Sequence, residues 1–525
     1  MFKFFKKSKS LIGKKEKTKD VYEGFKLTND LDKNVANFKA VLGESNDVIV
    51  HIFSCGQTKD KNAALIYIDG LADKKIINNN ILKPLIYDSK FSIFENNKKI
   101  KNLDVFSKLL ISAGDVKEEG DSQQLLNSFM SGDTVLLVDG YDKGLVISTR
   151  GWDMRAIAEP ASESVVRGPR EGFNENMRTT TALLRRKIKD PALKFELMQI
   201  GERTRTNITL AYIKGVANPE LLDEIKQRLN KIETDAILES GYIEQYIEDT
   251  HLTVFPTIGY SEKPDVVAAK ILEGRVAIIV DGTPFVLTAP FIFIENFQTA
   301  EDYYVRPFYG TLLRFLRFTA YAISMLAPAI YVALTEYHQE LIPTPLLFTM
   351  AKATEGTPFP AAVEAVVMLL TFEILREGGV RLPRPVGQAI SIVGALVMGQ
   401  SAVSAGIIGS PIVIVVAITA VSSFVSPSLS EAGTTLRFML LILASILGGY
   451  GITMGLLFVL IHLASLESFK TPYLSPLAPL RLKDNKDAMI RAPLYKMIHR
   501  PVGMAKQNPI RQEKTAKASK SIFKK

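Results

Sequence analysis

LLRFLRFTAYAISMLAPAIYVALTEY, residues 312–337, decides the class of this protein. A stretch this long and this apolar exceeds the roughly 20 residues that cross a bilayer. Its charges sit near its ends: Arg314 and Arg317 at the start, Glu336 at the finish. Toward the C-terminus four more apolar stretches follow, at Phe359–Leu375, Val386–Ile408, Pro411–Val425 and Leu436–Leu466. The fourth, Pro411–Val425, is short for a span. The last is long and is interrupted by Gly448-Gly449-Tyr450-Gly451. A purely soluble enzyme is excluded. Toward the N-terminus, before Glu301, the chain is charged and broken by turns. The expected fold class is therefore an α+β cytoplasmic N-terminal region, made of two α/β subdomains, followed by an α-helical multi-span membrane domain.

The expected divisions are a basic arm at 1–20, a first α/β subdomain at 21–150 and a second at 151–300. A transmembrane helical domain follows at 301–467 and a basic cytoplasmic tail at 468–525. In the first subdomain, Lys26–Leu42 carries apolar residues at helical spacing, and VIVHIF after Asp47 and ALIYID after Ala63 read as strands. In the second, Asn218-Pro219 reads as the start of a helix. Two hairpins resemble each other: LLVDG after Val135 and IIVDG after Ala277. Either the subdomains are related, or both follow the common grammar of a tight turn between apolar strands.

Basic residues before the first span and in the loop with Arg376, Arg381 and Arg384 assign those segments to the cytoplasm. Glu336, Glu340 and Glu355 lie between them and belong outside. A basic end after Ser468 asks for an even number of crossings, which five stretches do not give. Either the last stretch is a bent pair or the fourth is not a full span, so four to six helices are expected.

The 525 residues are 47% hydrophobic and 23% charged, with a formal net charge of +9. The basic excess gathers at the two ends, beside a membrane region, so anionic lipid is a simpler partner than nucleic acid. One cysteine, Cys55, excludes a disulfide framework and a multi-cysteine zinc site. The five histidines have no metal-ligand spacing, and no phosphate loop, dinucleotide fingerprint or nucleophile elbow occurs. Neither catalysis nor a cofactor is expected.

The informative charges lie within the apolar half. Glu364 and Glu373 fall in the second stretch, and an ionisable group at membrane depth is costly enough to mark an ion or substrate path by default. The plainer reading puts both at the interfaces, with Glu373 paired to Arg376 three residues on. Met368 and Thr371 complete the candidate path on this helix. In the third stretch Val386, Ile390, Val393, Val397, Gln400 and Ser404 share one helical face, an apolar sleeve of the kind that gates by excluding water. Gly394, Gly399, Ala402 and Gly406 flank it and suit close helix packing, which is the plainer reading of this stretch.

Taken in order, VVRGPREGF (165–173), YIKGVANPELLDEIKQRL (212–229), LEGRVAIIVDGTPFVLTAP (272–290), EDYYVRPFYG (301–310), HQELIPTPLLF (338–348), FEILREGGVRLPRPVGQAISIVGALVMGQSAVSAG (372–406) and PYLSPLAPL (472–480) resemble the A-subunit family of bacterial spore germinant receptors. The resemblance runs from about Gly132 to Pro501. It implies a multi-pass protein of the endospore inner membrane, with its N-terminal domain on the spore core side. It implies as partners a transporter-like membrane B subunit and a lipoprotein C subunit, and a homo-oligomer that forms a ligand-gated cation channel. The family commonly has an acidic residue after the methionine of the second span, where this chain has Leu369 after Met368. The alternative is a sensory scaffold that binds the other subunits or the germinant and conducts nothing.

Overall fold

The computed structural model describes residues 25–43, 45–55, 61–87, 115–151, 159–160, 163, 165–381, 397–481, 484–501, 503–505 and 507–512. The expected arm at 1–20 and the last residues, 513–525, lie outside them.

The first α/β unit opens with helix α1 (Leu31–Leu42), whose Asp30 cap accepts from the Lys33 amide. Strands β1 (Val48–Cys55) and β2 (Lys61–Ile68) follow. A helix that runs Lys74–Ile76, through a π-turn Ile77–Leu82, into Lys83–Tyr87 is α2. Next come β3 (Val116–Glu119), α3 (Ser122–Met130), β4 (Thr134–Val138) and β5 (Gly144–Ile147). All pairings are antiparallel, in the order β1-β2-β4-β5-β3.

The second unit repeats this plan with α4 (Met177–Lys187), β6 (Leu193–Ile200), β7 (Thr206–Ile213), α5 (Pro219–Asn230), α6 (Ser240–Ile247), β8 (Gly259–Ser261), α7 (Pro264–Leu272), β9 (Val276–Val280) and β10 (Val286–Ala289). Its order is β6-β7-β9-β10-β8, the same as the first. The two hairpins noted in the sequence occupy equivalent places. Asp139 accepts from the amide that starts α1 (Leu31, 3.3 Å) and Asp281 from the amide that starts α4 (Met177, 3.2 Å). The Gly140 and Gly282 amides donate to Asn29 and Glu175 carbonyls at 2.8 and 2.9 Å. Both glycines have φ near +90° (85° and 94°), which a side chain would strain. The likeness of the hairpins is thus a repeat of a whole unit. β4 and β9 are buried along their full length, which is why they read as unbroken apolar runs rather than alternating ones.

The units share a helix. On α4, Ala182 packs into the core under the first sheet, while Leu183 and Leu184 pack under the second. Arg185 and Asp47 lock this junction, with Nε–Oδ2 at 2.9 Å and Nη2–Oδ1 at 3.0 Å, both residues almost wholly buried.

The apolar half starts with α8 (Glu301–Tyr304) and the long α9 (Pro307–Val332), which runs on through a π-turn to Tyr337. Then come α10 (Thr344–Thr354), α11 (Ala361–Arg381), a helical segment at 397–404, α12 (Ser410–Ser423) and α13 (Ser430–Ser465). Among the described residues two helices are long and apolar enough to cross a membrane, Pro307–Tyr337 and Pro427–Ser465.

The second of these is not straight. Gly448 has φ 61° and ψ −140°. A Cβ on Gly455 would lie 2.6 Å from Leu440 Cδ2, and one on Gly451 would lie 2.1 Å from the Leu443 carbonyl oxygen. In a continuous helix residues 440 and 455 would be about 22 Å apart. The chain therefore doubles back at Gly448, and the glycines let the two limbs touch. The last apolar stretch is thus bent, and the helix of the short fourth stretch, Ser410–Ser423, is 14 residues long.

The expected tail does not hang free. After α13, strands β11 (Glu467–Ser468) and β12 (Thr471–Pro472) turn the chain back under the second sheet. Phe469 enters that sheet's core, Tyr473 is fully buried among aromatic rings and Ala505 joins the core of the second unit beside Gly274, just after α7.

Candidate functional site

The charged groups inside the helical half lie at three levels. At the base, Asp302 has no exposed surface. It accepts from Arg314 Nε at 3.0 Å and from Arg317 Nη1 at 2.9 Å. Arg314, also fully buried, donates to the Asp487 and Ala488 carbonyls of the strap at 2.6 and 3.0 Å. The two arginines read as the entry to the first apolar stretch thus bind protein, and burial pushes the Asp487 carboxyl up against the pull of Arg314.

Further along the helices, Arg437 of α13 is 1% exposed. It donates through Nε to the Ser324 carbonyl at 2.7 Å and through Nη1 to Glu373 at 3.0 Å. Glu373 also pairs with Arg376 at 2.6 Å, the i,i+3 pair expected. Arg437 is the residue that sequence reading passed over. A lone arginine one position into an apolar run was the available signal, because such a charge needs a partner.

Glu364 lies near the opposite end, where α11 begins, and is 2% exposed. Its Oε2 accepts at 3.1 Å from the amide of Gly409, the residue capping α12. A carboxylate at a helix N-terminus is favourable. Its Oε1 is buried with no hydrogen-bond partner, as is the hydroxyl of Tyr331. Glu364 therefore faces inward between α11 and α12. Met368, on the same helix, packs at the edge of an apolar cluster around Leu369, Ile412 and Val416. Thr371 donates to the Val367 carbonyl one turn back at 2.8 Å.

Val386 and Val393 lie outside the described residues. Downstream, Val397 is 54% exposed, and Gln400 and Ser404 share its exposed face. Gly399 turns the other way, toward Val413 of α12. The structure thus brings Glu364, Met368 and Thr371 onto one helix and leaves Val397 and Gln400 on an uncovered face.

The model of the Bacillus/Clostridium GerA spore germination protein family matches residues 36–502. The chain belongs to the GerA family of spore germination proteins. Among its GerA relatives, Spore germination protein KA of Bacillus subtilis (strain 168) is 45% identical over 493 residues, 93% of this chain and 89% of that protein. Spore germination protein GerLA of Bacillus cereus is 38% identical over 479 residues, 90% of this chain and 96% of that protein. The crystal structure of the N-terminal domain of the A subunit of the Bacillus megaterium spore germinant receptor GerK3 aligns with 52% of this chain and 99% of that chain. It does so at 39% identity and a TM-score of 0.41. The GerA match begins at residue 36, so most of the first α/β unit, where the motifs were loose, belongs to the family as well.

Proposed function

We propose that this GerA protein is the A subunit of a germinant receptor in the inner membrane of the endospore. It works there beside a transporter-like B subunit and a lipoprotein C subunit, and as a homo-oligomer it opens a cation path on nutrient binding. The α/β half faces the spore core and the helical half crosses the bilayer several times. Three features support the crossing: α9, and the two limbs of α13 that reverse at Gly448. At the far end of α9, Tyr337 donates to the Ser445 carbonyl (2.6 Å), and His338 accepts from the Gly449 amide (3.2 Å).

Oligomerisation is favoured by the stem of α9. Pro307–Tyr337 is 31 residues, or about 46 Å, against a hydrocarbon layer of about 30 Å. The surplus lies at the base, where Arg314 and Arg317 are bound. Phe308, Leu312, Phe315 and Leu316 are exposed along one side of that stem, a bare apolar stripe suited to a neighbouring helix.

The observation that carries a cation path is the Glu364 carboxylate, buried among apolar helices with one oxygen uncommitted. An incompletely satisfied carboxylate is costly there, and a passing cation would relieve it. The face with Val397 and Gln400 serves as the gate when a ring of subunits turns it inward. The test is ion flux through the purified protein in liposomes. Glu364→Gln should lower cation-over-anion preference and Val397→Ala should raise basal leak. Unchanged flux in Glu364→Gln returns that residue to packing, and no flux at all from the intact receptor leaves the sensory scaffold.

A further inference from the structure

The membrane reading leaves one surface of the α/β half unexplained. Helix α6 exposes Tyr242 and Tyr246 one turn apart, and the loop after it exposes Leu252 (93%) and Val254 (38%). Exposed apolar side chains that cluster mark a contact site more than scattered ones do. This cluster is tied to the end of the helical bundle. The Thr253 hydroxyl and His462 Nε2, in the last turn of α13, are 3.0 Å apart. Phe255 packs into the bundle core with Leu463 and Leu466. Asp249 accepts from the Phe469 amide, just past α13, at 2.6 Å.

We infer that this face of α6 and its loop rests in the headgroup layer of the bilayer, with Leu252 reaching its apolar boundary. The inference builds on the reading of α13 as membrane-crossing. His462 lies 14 residues from the reversal at Gly448, about 21 Å along the second limb, which keeps it inside the thickness of a bilayer. Its neighbours Leu460 and Ile461 are bare, as are Leu457 and Phe458 a turn earlier. The loop is thus continuous with a surface that faces acyl chains. Tyrosines are the residues favoured at such a boundary, apolar on one side and wet on the other. The charged groups around α6 are mostly acidic, Glu239, Glu244, Glu248 and Glu431, while Arg228, which donates to the Ile247 carbonyl, is paired with Glu224 and Asp249, and His251 lies beside Glu248. Attraction to anionic lipid therefore cannot hold the face in place, and the contact is apolar.

The test uses the full-length chain in nanodiscs, with Cys55→Ala removing the one native thiol and single cysteines carrying an environment-sensitive fluorophore. Leu252→Cys is compared with Phe458→Cys on the bare face of α13 and with Ile52→Cys on β1, remote from the helices. Brominated acyl chains should quench the label at 252 as they quench the one at 458, in zwitterionic lipid alone, while aqueous iodide quenches only the label at 52. Quenching at 458 but iodide access at 252 overturns the lipid contact and leaves the membrane reading standing. Shielding at 252 from both quenchers overturns it in favour of a covering protein. Loss of lipid quenching at 458 overturns the membrane reading and this contact with it.

Discussion

At the scale of single residues, partners decide what each buried charge costs. Arg437 is held by one carbonyl and one carboxylate. Removing one partner of a buried pair typically costs about 3–5 kcal/mol, because the other charge stays behind. Glu373→Ala should therefore destabilise by about that much, while Glu373→Gln keeps an acceptor and should cost less. Thermal unfolding of the detergent-solubilised protein measures the difference, and equal losses would count against the pair. Glu244 on α6 behaves oppositely. Burial foremost, then Glu248, Glu431 and Glu239, raise its carboxyl to about 7. The unfolded chain releases this proton near the ordinary 4.5, so between 4.5 and 7 the native state binds more protons and stability falls as pH rises. Above 7 the full penalty remains. Glu244→Gln should remove it, gaining about 3 kcal/mol at pH 8 and nothing at pH 4. A pH-independent effect would show that Glu244 is not the group responsible.

At the scale of elements, glycines decide whether the last apolar run is one helix or two. Gly455→Leu would drive a side chain into Leu440 and Leu443 of the facing limb. Overpacking usually costs about 1–3 kcal/mol, and here it pushes apart limbs that meet over several turns. We expect a marked fall in the amount of folded protein recovered from membranes. Gly356→Ala meets nothing within 4 Å despite its positive φ of 90° and should cost only about 1 kcal/mol. Equal recovery of Gly455→Leu and the parent chain would argue against the reversal. The sequence announced this turn as a Gly-Gly-Tyr-Gly interruption but could not say whether the limbs pack. It yielded the helices and strands with strong apolar patterning, α1, β2, β4, α5 and α9 among them. It missed β3, whose VKEE shows no alternation because it is a solvated edge, and β8, which is only three residues long. It missed α6, whose tyrosines point outward, and α10. At the site, Glu364 and Glu373 were legible as charges out of place. Their partners Gly409 and Arg437 were not, because they come from helices 45 and 64 residues away.

At the scale of the whole molecule, the α/β half and the helices are joined by a charge node beside the apolar seam that runs through Phe255, Phe291 and Phe297. Asp302 sits between the second unit and α9 and receives both arginines of the stem. Arg314 in turn holds the strap that returns from α13. Any movement of the stem relative to the second unit must break or carry these bonds, so the node sets how firmly the halves move together. Asp302→Ala takes the shared carboxylate from Arg314 and Arg317 and leaves Arg314, which has no exposed surface, with Asp487 as its one carboxylate partner, and should cost about 3–5 kcal/mol. Arg314→Met leaves Asp302 with Arg317 and should cost less. If the pair acts as a unit, the double variant should be less damaged than the sum of the single ones by about 1–3 kcal/mol. Thermal unfolding of the four proteins closes this cycle. Strict additivity would mean that Arg314 is held by the strap alone, through the Asp487 carboxylate and the Asp487 and Ala488 carbonyls. The stem would then be coupled to the C-terminal strap rather than to the second α/β unit.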